Sequence, residues 1–182
     1  MAFWTSTIEP KRQFRFKVQI NGMAEGATWY AKQVTKPSVE VAEGTHKYLG
    51  HTFHFPGSVT WQDVSVTLVD PSDPDAAAEI FKILSAAGYD TPKKPGDQST
   101  LETVGKRDMA AAIDGVIITQ LDSSGNAQET WTLNNPIIKG ISLGDLSYES
   151  EELSTIEITF AYDWCTFESA QLEGELYAPG AV

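Results

Sequence analysis

One β-rich run changes the parity of its apolar residues midway. Between Ser58 and Val69, Val59 and Trp61 are apolar at odd positions, whereas Val64, Val66 and Leu68 are apolar at even ones. Side chains alternate strictly along a strand, so such a run must contain a bulge or change its partner, here near Gln62-Asp63. It belongs to a longer unit from Thr45 to Asp70, read as two strands joined at Phe55-Pro56-Gly57. Proline cannot donate to a ladder and glycine supplies turn dihedrals. The first arm carries Tyr48, Phe53 and Phe55, which are expected to share one face. A chain built this way packs on its own core at one end and on another element at the other.

The rest of the chain supplies the sheets for that core. Phe14 to Ile20 alternates without a fault, and Asn21-Gly22 is a tight-turn signal leading to a second strand around Ala27 to Val34, with Trp29 and Tyr30. After Asp70 the pattern becomes helical. Asp73 is placed as a cap and Pro74 at the first helical position, with Ala77, Ile80, Phe81, Leu84 and Ala87 on one side and Gly88 as terminator. Glu102 to Ala112 is read as a strand that joins the sheet edge or as a short helix through Met109-Ala110-Ala111-Ala112, the strand being preferred because a clear hairpin follows. Ile113 to Leu121 then pairs with Gln128 to Leu133 across a polar turn, and Ile137 to Leu143 makes a further strand. The last strand places Ile156, Ile158, Phe160, Tyr162 and Trp164 on one face, and must be central.

The fold expected is mainly β (all-β or α+β): an antiparallel β-sandwich or half-barrel of seven or eight strands with one flanking α-helix. It forms one domain over residues 1–182, with an N-terminal arm at 1–13 and a C-terminal tail at 166–182.

Charge and composition exclude several classes of function. The net charge of −12 is wrong for a protein that grips nucleic acid. It is also unevenly spread: Lys11, Arg12, Arg15 and Lys17 cluster early, and no lysine or arginine follows Lys139. This is either a solvated acidic face, or a pairing of basic and acidic ends between copies, or an acidic wall along a passage. No apolar run approaches the ~20 residues of a spanning helix, so a soluble, cytoplasmically made protein without a membrane partner is expected. The lone Cys165 rules out an internal disulfide and reads as a packed thiol.

Nothing in the sequence assembles catalytic chemistry. His51 and His54 point to opposite faces of a strand, so with His46 they make no metal site, and no cofactor is expected. There is no nucleophile elbow, phosphate-cradling loop or zinc-protease motif, and the paired Glu151-Glu152 reads as an exposed turn. An enzyme is therefore not expected. The aromatic unit around Pro56-Gly57 is the better clue, because an isolated hairpin is marginal in water and needs a partner surface.

The segments Thr35-Lys36-Pro37-Ser38-Val39-Glu40-Val41, Phe55-Pro56-Gly57 and Trp61-Gln62-Asp63-Val64-Ser65-Val66-Thr67-Leu68 resemble the tail tube proteins of contractile-tailed bacteriophages. The resemblance spans about Phe14 to Trp164. It implies a structural virion protein that forms sixfold rings, an inner barrel built from every copy, and stacking of rings into a tail tube. A tail sheath protein would lie outside, with tape measure and baseplate or tail terminator proteins as further partners. Double-stranded DNA would pass through without specific binding. Location would be the virion tail, and the host cytoplasm during assembly.

On that resemblance, Tyr48, Phe53, Phe55, Pro56, Gly57, Trp61 and Asp63 are assigned to contacts within and between rings. Glu157 and Asp163 are the lumen-facing acidic residues, because a DNA channel must not bind phosphates. The N-terminal extension and the residues after Trp164 leave open a tube initiator or terminator ring. Tubes of contractile injection systems, which carry a toxin, share the pattern. The alternative of another class is a monomeric β-sandwich binding module with Tyr48, Phe53, Phe55 and Trp61 as one ligand platform.

Overall fold

A computed structural model describes residues 10–23, 31–91, 103–149 and 151–170. Most of the expected N-terminal arm, Trp29, Tyr30 and the end of the expected C-terminal tail lie outside these residues. Ten strands and two helices are present among those described: β1 (Phe16–Ile20), β2 (Ala31–Val34), β3 (Val39–Tyr48), β4 (His51–Trp61), β5 (Val64–Val69), α1 (Ala76–Ala86), α2 (Lys106–Ile113), β6 (Val116–Leu121), β7 (Ala127–Asn134), β8 (Ile137–Ser142), β9 (Thr155–Ala161) and β10 (Trp164–Ser169). Eight of the strands form two four-stranded antiparallel sheets, ordered β1-β6-β7-β10 and β2-β5-β9-β8, while β3 and β4 pair only with each other.

Alternation builds the two sheets and the core between them. In β5, Val64, Val66 and Leu68 are buried while Ser65, Thr67 and Val69 are half-exposed. In β9, Ile156, Ile158 and Phe160 face the same interior. These side chains meet Val18, Ile20, Val116, Ile118, Leu133 and Cys165 from the other sheet in one cluster. Burying each such side chain contributes roughly 1.5–3 kcal/mol before entropy is subtracted. Burial also pushes the Cys165 thiol up to about 12, so it stays an inert packed thiol at neutral pH.

Several sequence expectations are corrected here, each for a local reason. Asn21-Gly22 does not fold β1 back onto β2, which lies in the other sheet; the turn docks on the start of β6 instead. The Asn21 and Gly22 amides donate to the Gly115 and Ile113 carbonyls at 3.1 and 2.8 Å, and the Asn21 side chain donates to the Asp114 carbonyl at 2.6 Å. The residues read as a strand from Glu102 to Ala112 contain α2, because Met109 and Ile113, one helical turn apart, both reach the core. Asp114 ends that helix in the left-handed conformation.

The cap of α1 is Asp75, not Asp73. Its side chain accepts from the Ala78 amide at 3.0 Å. The buried stripe is Ala76, Ile80, Ile83 and Ala87, which leaves Phe81 exposed. Gly88, at φ +100°, ends the helix as its position suggests.

The last strand is also shorter than expected. It stops at Ala161, the chain crosses at Tyr162-Asp163, and Trp164 to Ser169 pairs with β7 in the other sheet, where a tail from 166 was expected. Asp163 fixes this crossing. It accepts from Lys106 Nζ at 2.7 and 2.9 Å and from Asn135 Nδ2 at 3.0 Å, tying it to α2 and to the β7–β8 turn. Lys11 of the basic N-terminal cluster is used within the chain as well, since it pairs with Glu129 on β7, as Lys36 also does.

The closest backbone approach falls at Gly22, where an added Cβ would lie 2.1 Å from the Ala112 carbonyl oxygen. Gly22→Ala should therefore destabilise the fold by about 2 kcal/mol or more, since backbone rather than a movable side chain must yield. Urea unfolding checks this, with Gly44→Ala, whose added Cβ would meet its nearest neighbour at an ordinary 3.8 Å, as the milder control.

Candidate functional site

The parity switch in the sequence is a change of partner. β4 ends at Trp61, Gln62 and Asp63 form a two-residue link, and β5 starts at Val64 inside the sandwich. Three contacts clamp that junction. The Gln62 amide donates to the Ser38 carbonyl at 2.9 Å, Lys139 pairs with Asp63, and Trp61 packs on Tyr162 with ring centroids 5.9 Å apart. Beyond this clamp the β3–β4 hairpin leaves the body. Every residue from Val39 to Thr60 is exposed.

The hairpin does not turn at Phe55-Pro56-Gly57. It turns at Leu49-Gly50, with φ of +47° and +80°, a two-residue connection whose twist matches that of the flanking strands. Pro56 and Gly57 lie within β4 and make a bulge. The register runs Val41↔Val59 below it and Glu43↔Pro56 above it, so β4 holds one extra residue opposite Ala42. Gly57 is needed there, because a Cβ would lie 2.9 Å from the Ala42 carbonyl oxygen. Proline is tolerated because this two-stranded sheet has only edge strands.

This register decides which aromatics come together. Tyr48 lies opposite His51, Phe53 opposite His46 and Phe55 opposite Gly44, so Tyr48, Phe53 and Phe55 share one face with two imidazoles. The shared face depends on the Leu49-Gly50 turn, since a single continuous strand would put Tyr48 opposite in parity to the two phenylalanines. The other face carries Val39, Val41, Val59 and Trp61 near the base, then Glu43 paired with His54, then Lys47 at the tip. The apolar surface thus changes sides along the hairpin: aliphatic on one face near the body, aromatic on the other near the tip. Tyr48, Phe53 and Phe55 are 61%, 48% and 55% exposed.

Two alternatives lose their geometry. A single platform of Tyr48, Phe53, Phe55 and Trp61 does not form, because Trp61 lies at the base, on the opposite face, against Tyr162. The cleft between β1, β2 and β6, lined by Phe14, Phe16, Val34 and Ile118, offers no free polar group from Lys36 or Gln120: Lys36 donates to Gln120 and Glu129, and Gln120 donates to the Arg12 carbonyl. His46 and His51 share a face while His54 lies on the other, and among the described residues no three His, Cys, Asp or Glu side chains converge.

The two acidic residues assigned to a lumen differ in environment. Glu157 is exposed on the outer face of β9, among the small polar residues Ser65, Thr67, Ser142 and Thr159. Asp163 is engaged by Lys106 and Asn135, whose hydrogen bonds hold its carboxyl below the usual range. A depressed carboxyl stabilises the fold above its ordinary pKa, and that contribution is lost as pH falls through the lowered value. Sequence reasoning missed a second bare apolar surface in the link between β8 and β9. There Leu143, Leu146, Tyr148 and Leu153 are 47%, 94%, 111% and 73% exposed. The spacing of Leu146 and Tyr148 in a Gly- and Asp-containing link was the available signal.

No family model matches this chain, and no curated protein does. Solved structures do match in fold. A chain of the extended-state sheath/tube terminator of an extracellular contractile injection system, PVC, has a TM-score of 0.65 and 15% identity, over 90% of this chain and 100% of that one. A chain of the tube-terminating cap of the anti-feeding prophage has a TM-score of 0.65 and 14% identity, covering 93% and 100%. A chain of the PVC sheath–tube complex in the extended state gives 0.58 and 14%, covering 88% and 93%. The mainly β, tail-tube-like fold is thus shared with chains from contractile injection assemblies.

If the hairpin is external to the core, Phe53→Ser and Phe55→Ser should each leave the unfolding free energy within about 0.5 kcal/mol of the parent. Phe160→Ala, which empties a fully buried site, should cost about 3–5 kcal/mol. Paired chemical denaturation curves make the comparison. In acid titrations, Asp163→Asn should unfold less steeply than the parent below the usual carboxylate range.

Proposed function

We propose that this protein is a subunit of the inner tube of a contractile tail or contractile injection apparatus, six copies to a ring, with rings stacked into a conduit. The observation that carries the reading is the β3–β4 hairpin: a long, fully exposed, apolar-faced projection on a body that shares its fold with chains from tube and terminator assemblies. A hairpin by itself is marginally stable, and from Val39 to Thr60 this one buries none of its apolar residues. Sister copies supply the cover.

Sheet edges support ring closure. Among the described residues one sheet ends in β1 and β10 and the other in β2 and β8, and each edge strand has one side without a partner in the sheet. Pairing a leading edge to a neighbour's trailing edge is a heterologous contact, and it closes into a ring when the rotation permits. In this reading the partners are further copies, a tail sheath protein outside, and tape measure, baseplate and terminator proteins at the ends. Double-stranded DNA is the cargo of a phage tube; an injection tube would carry a toxin. The bulge and clamp residues Pro56, Gly57, Trp61 and Asp63 set the angle of the hairpin, and Tyr48, Phe53 and Phe55 make the contacts.

The lumen assignment falls on Glu157, among small polar neighbours. An acidic, smooth wall gives phosphates nothing to bind. Asp163 serves the same end only weakly, since Lys106 offsets its charge.

Electron microscopy of the purified protein, with light scattering, tests the assignment. Rings or tubes are expected, and particles no larger than one 19.9 kDa chain would overturn it. In assembled tails Glu157→Lys should leave the tube intact and slow DNA exit several-fold, measured by ejection kinetics; an unchanged rate would remove Glu157 from the lumen.

A further inference from the structure

Beyond Glu43 the hairpin is free of acidic residues in an acidic chain. From Gly44 to Gln62 there is no aspartate or glutamate, while Lys47, His46, His51 and His54 are all present. The β8–β9 link is its opposite. Residues 143–153 contain Asp145, Glu149, Glu151 and Glu152 and no lysine, arginine or histidine. Leu146 and Tyr148 stand almost wholly free within it. Among the described residues Asp145, Glu149 and Glu151 form no ion pair.

Their placement matters as much as their chemistry. β5 leaves the hairpin base at Val64, opposite Phe160, and its far end Val69 lies opposite Thr155. β8 ends at Ser142, opposite Glu157. The acidic link therefore sits at the end of this sheet remote from the hairpin, about 20 Å along the strands. Each copy thus carries at one end an apolar projection whose tip bears Lys47 and no acid, and at the other an anionic, apolar seat. Two copies stacked in the same orientation bring unlike surfaces together, whereas a twofold pairing would bring like to like.

We infer that the hairpin tip of one copy docks on residues 143–153 of the next copy along the tube. Tyr48 and Leu49 lie against Leu146 and Tyr148, and Lys47 lies beside Asp145, Glu149 and Glu151. Leu49 occupies a left-handed position that glycine or asparagine would take with less strain, and it is 80% exposed there. An apolar side chain held at the apex against local preference is suited to contact, not to turn formation. The inference rests on the tube reading above and deepens it by naming the acceptor and the polarity of stacking: one tube end shows bare hairpins and the other bare acidic links.

Cysteine pairing tests the contact directly. Leu49→Cys combined with Leu146→Cys, and Leu49→Cys with Tyr148→Cys, are made in the full chain, where Cys165 is buried and silent. Oxidation or a short bis-maleimide should convert assembled material into a covalent ladder of copies. Leu49→Cys with Phe81→Cys, exposed on α1, should give none. As a second readout, Lys47→Glu should slow assembly several-fold, and adding Asp145→Lys and Glu149→Lys should restore it. Tubes that form normally with neither Leu49→Cys pair cross-linked would overturn this contact and leave the tube reading standing. A parent chain that never assembles would overturn both.

Discussion

A β-hairpin can satisfy its own backbone hydrogen bonds and still fail to cover its own side chains. That mismatch governs this molecule. β3 and β4 pair along their whole length, yet no residue between Val39 and Thr60 gains shelter from it, because a two-stranded ribbon has two faces and no third layer. The sandwich resolves the same problem internally, by setting one sheet against the other around Phe160, Leu68 and Ile118. For the hairpin, the third layer must come from outside the chain.

The body is built to hold that projection at a fixed angle. Trp61 on Tyr162, Asp63 on Lys139 and Gln62 on Ser38 lock the two-residue link where the strand leaves the sandwich. Asp163, one residue beyond Tyr162, does likewise for the crossing between sheets, with Lys106 and Asn135 as partners. Burial in this region disfavours ionisation of the Tyr162 phenol and raises its pKa, so the residue packing on Trp61 stays neutral and apolar in character. The bulge at Gly57 then adds its own bend and moves the apolar surface from one face to the other.

Much of this was legible in the residues, and the failures share a cause. Strict alternation located β1, β5 and β9, a polar turn placed β6 beside β7, and the parity change between Trp61 and Val64 announced the partner switch, because burial on one face leaves a period of two in the sequence. Turns were harder. Pro56-Gly57 carries the stronger turn signature, yet Leu49-Gly50 makes the turn, because register over nine residue pairs outweighs the local preference of two. The same competition moved Asn21-Gly22 from a hairpin to a docking turn. α2 ranked second to a strand because Met109 and Ile113 are the two buried positions in eight residues, too few to establish a period against the neighbouring strand pattern. The link at 143–153 offers only the spacing of Leu146 and Tyr148, too short a pattern to identify a surface until their exposure is seen.

The independence of the hairpin from the core has an evolutionary side. A ribbon that shares no buried side chain with the sandwich can change length, tip sequence or charge without a matching change in the body, so long as the clamp at Trp61 and Asp63 is kept. Substitution there is filtered by fit to a sister molecule instead of by folding. Lineages of such chains are therefore free to drift apart at this ribbon, each becoming unable to intermix with its cousins while retaining an interchangeable body, and a graft of the ribbon alone should be enough to move a chain from one compatibility group to another.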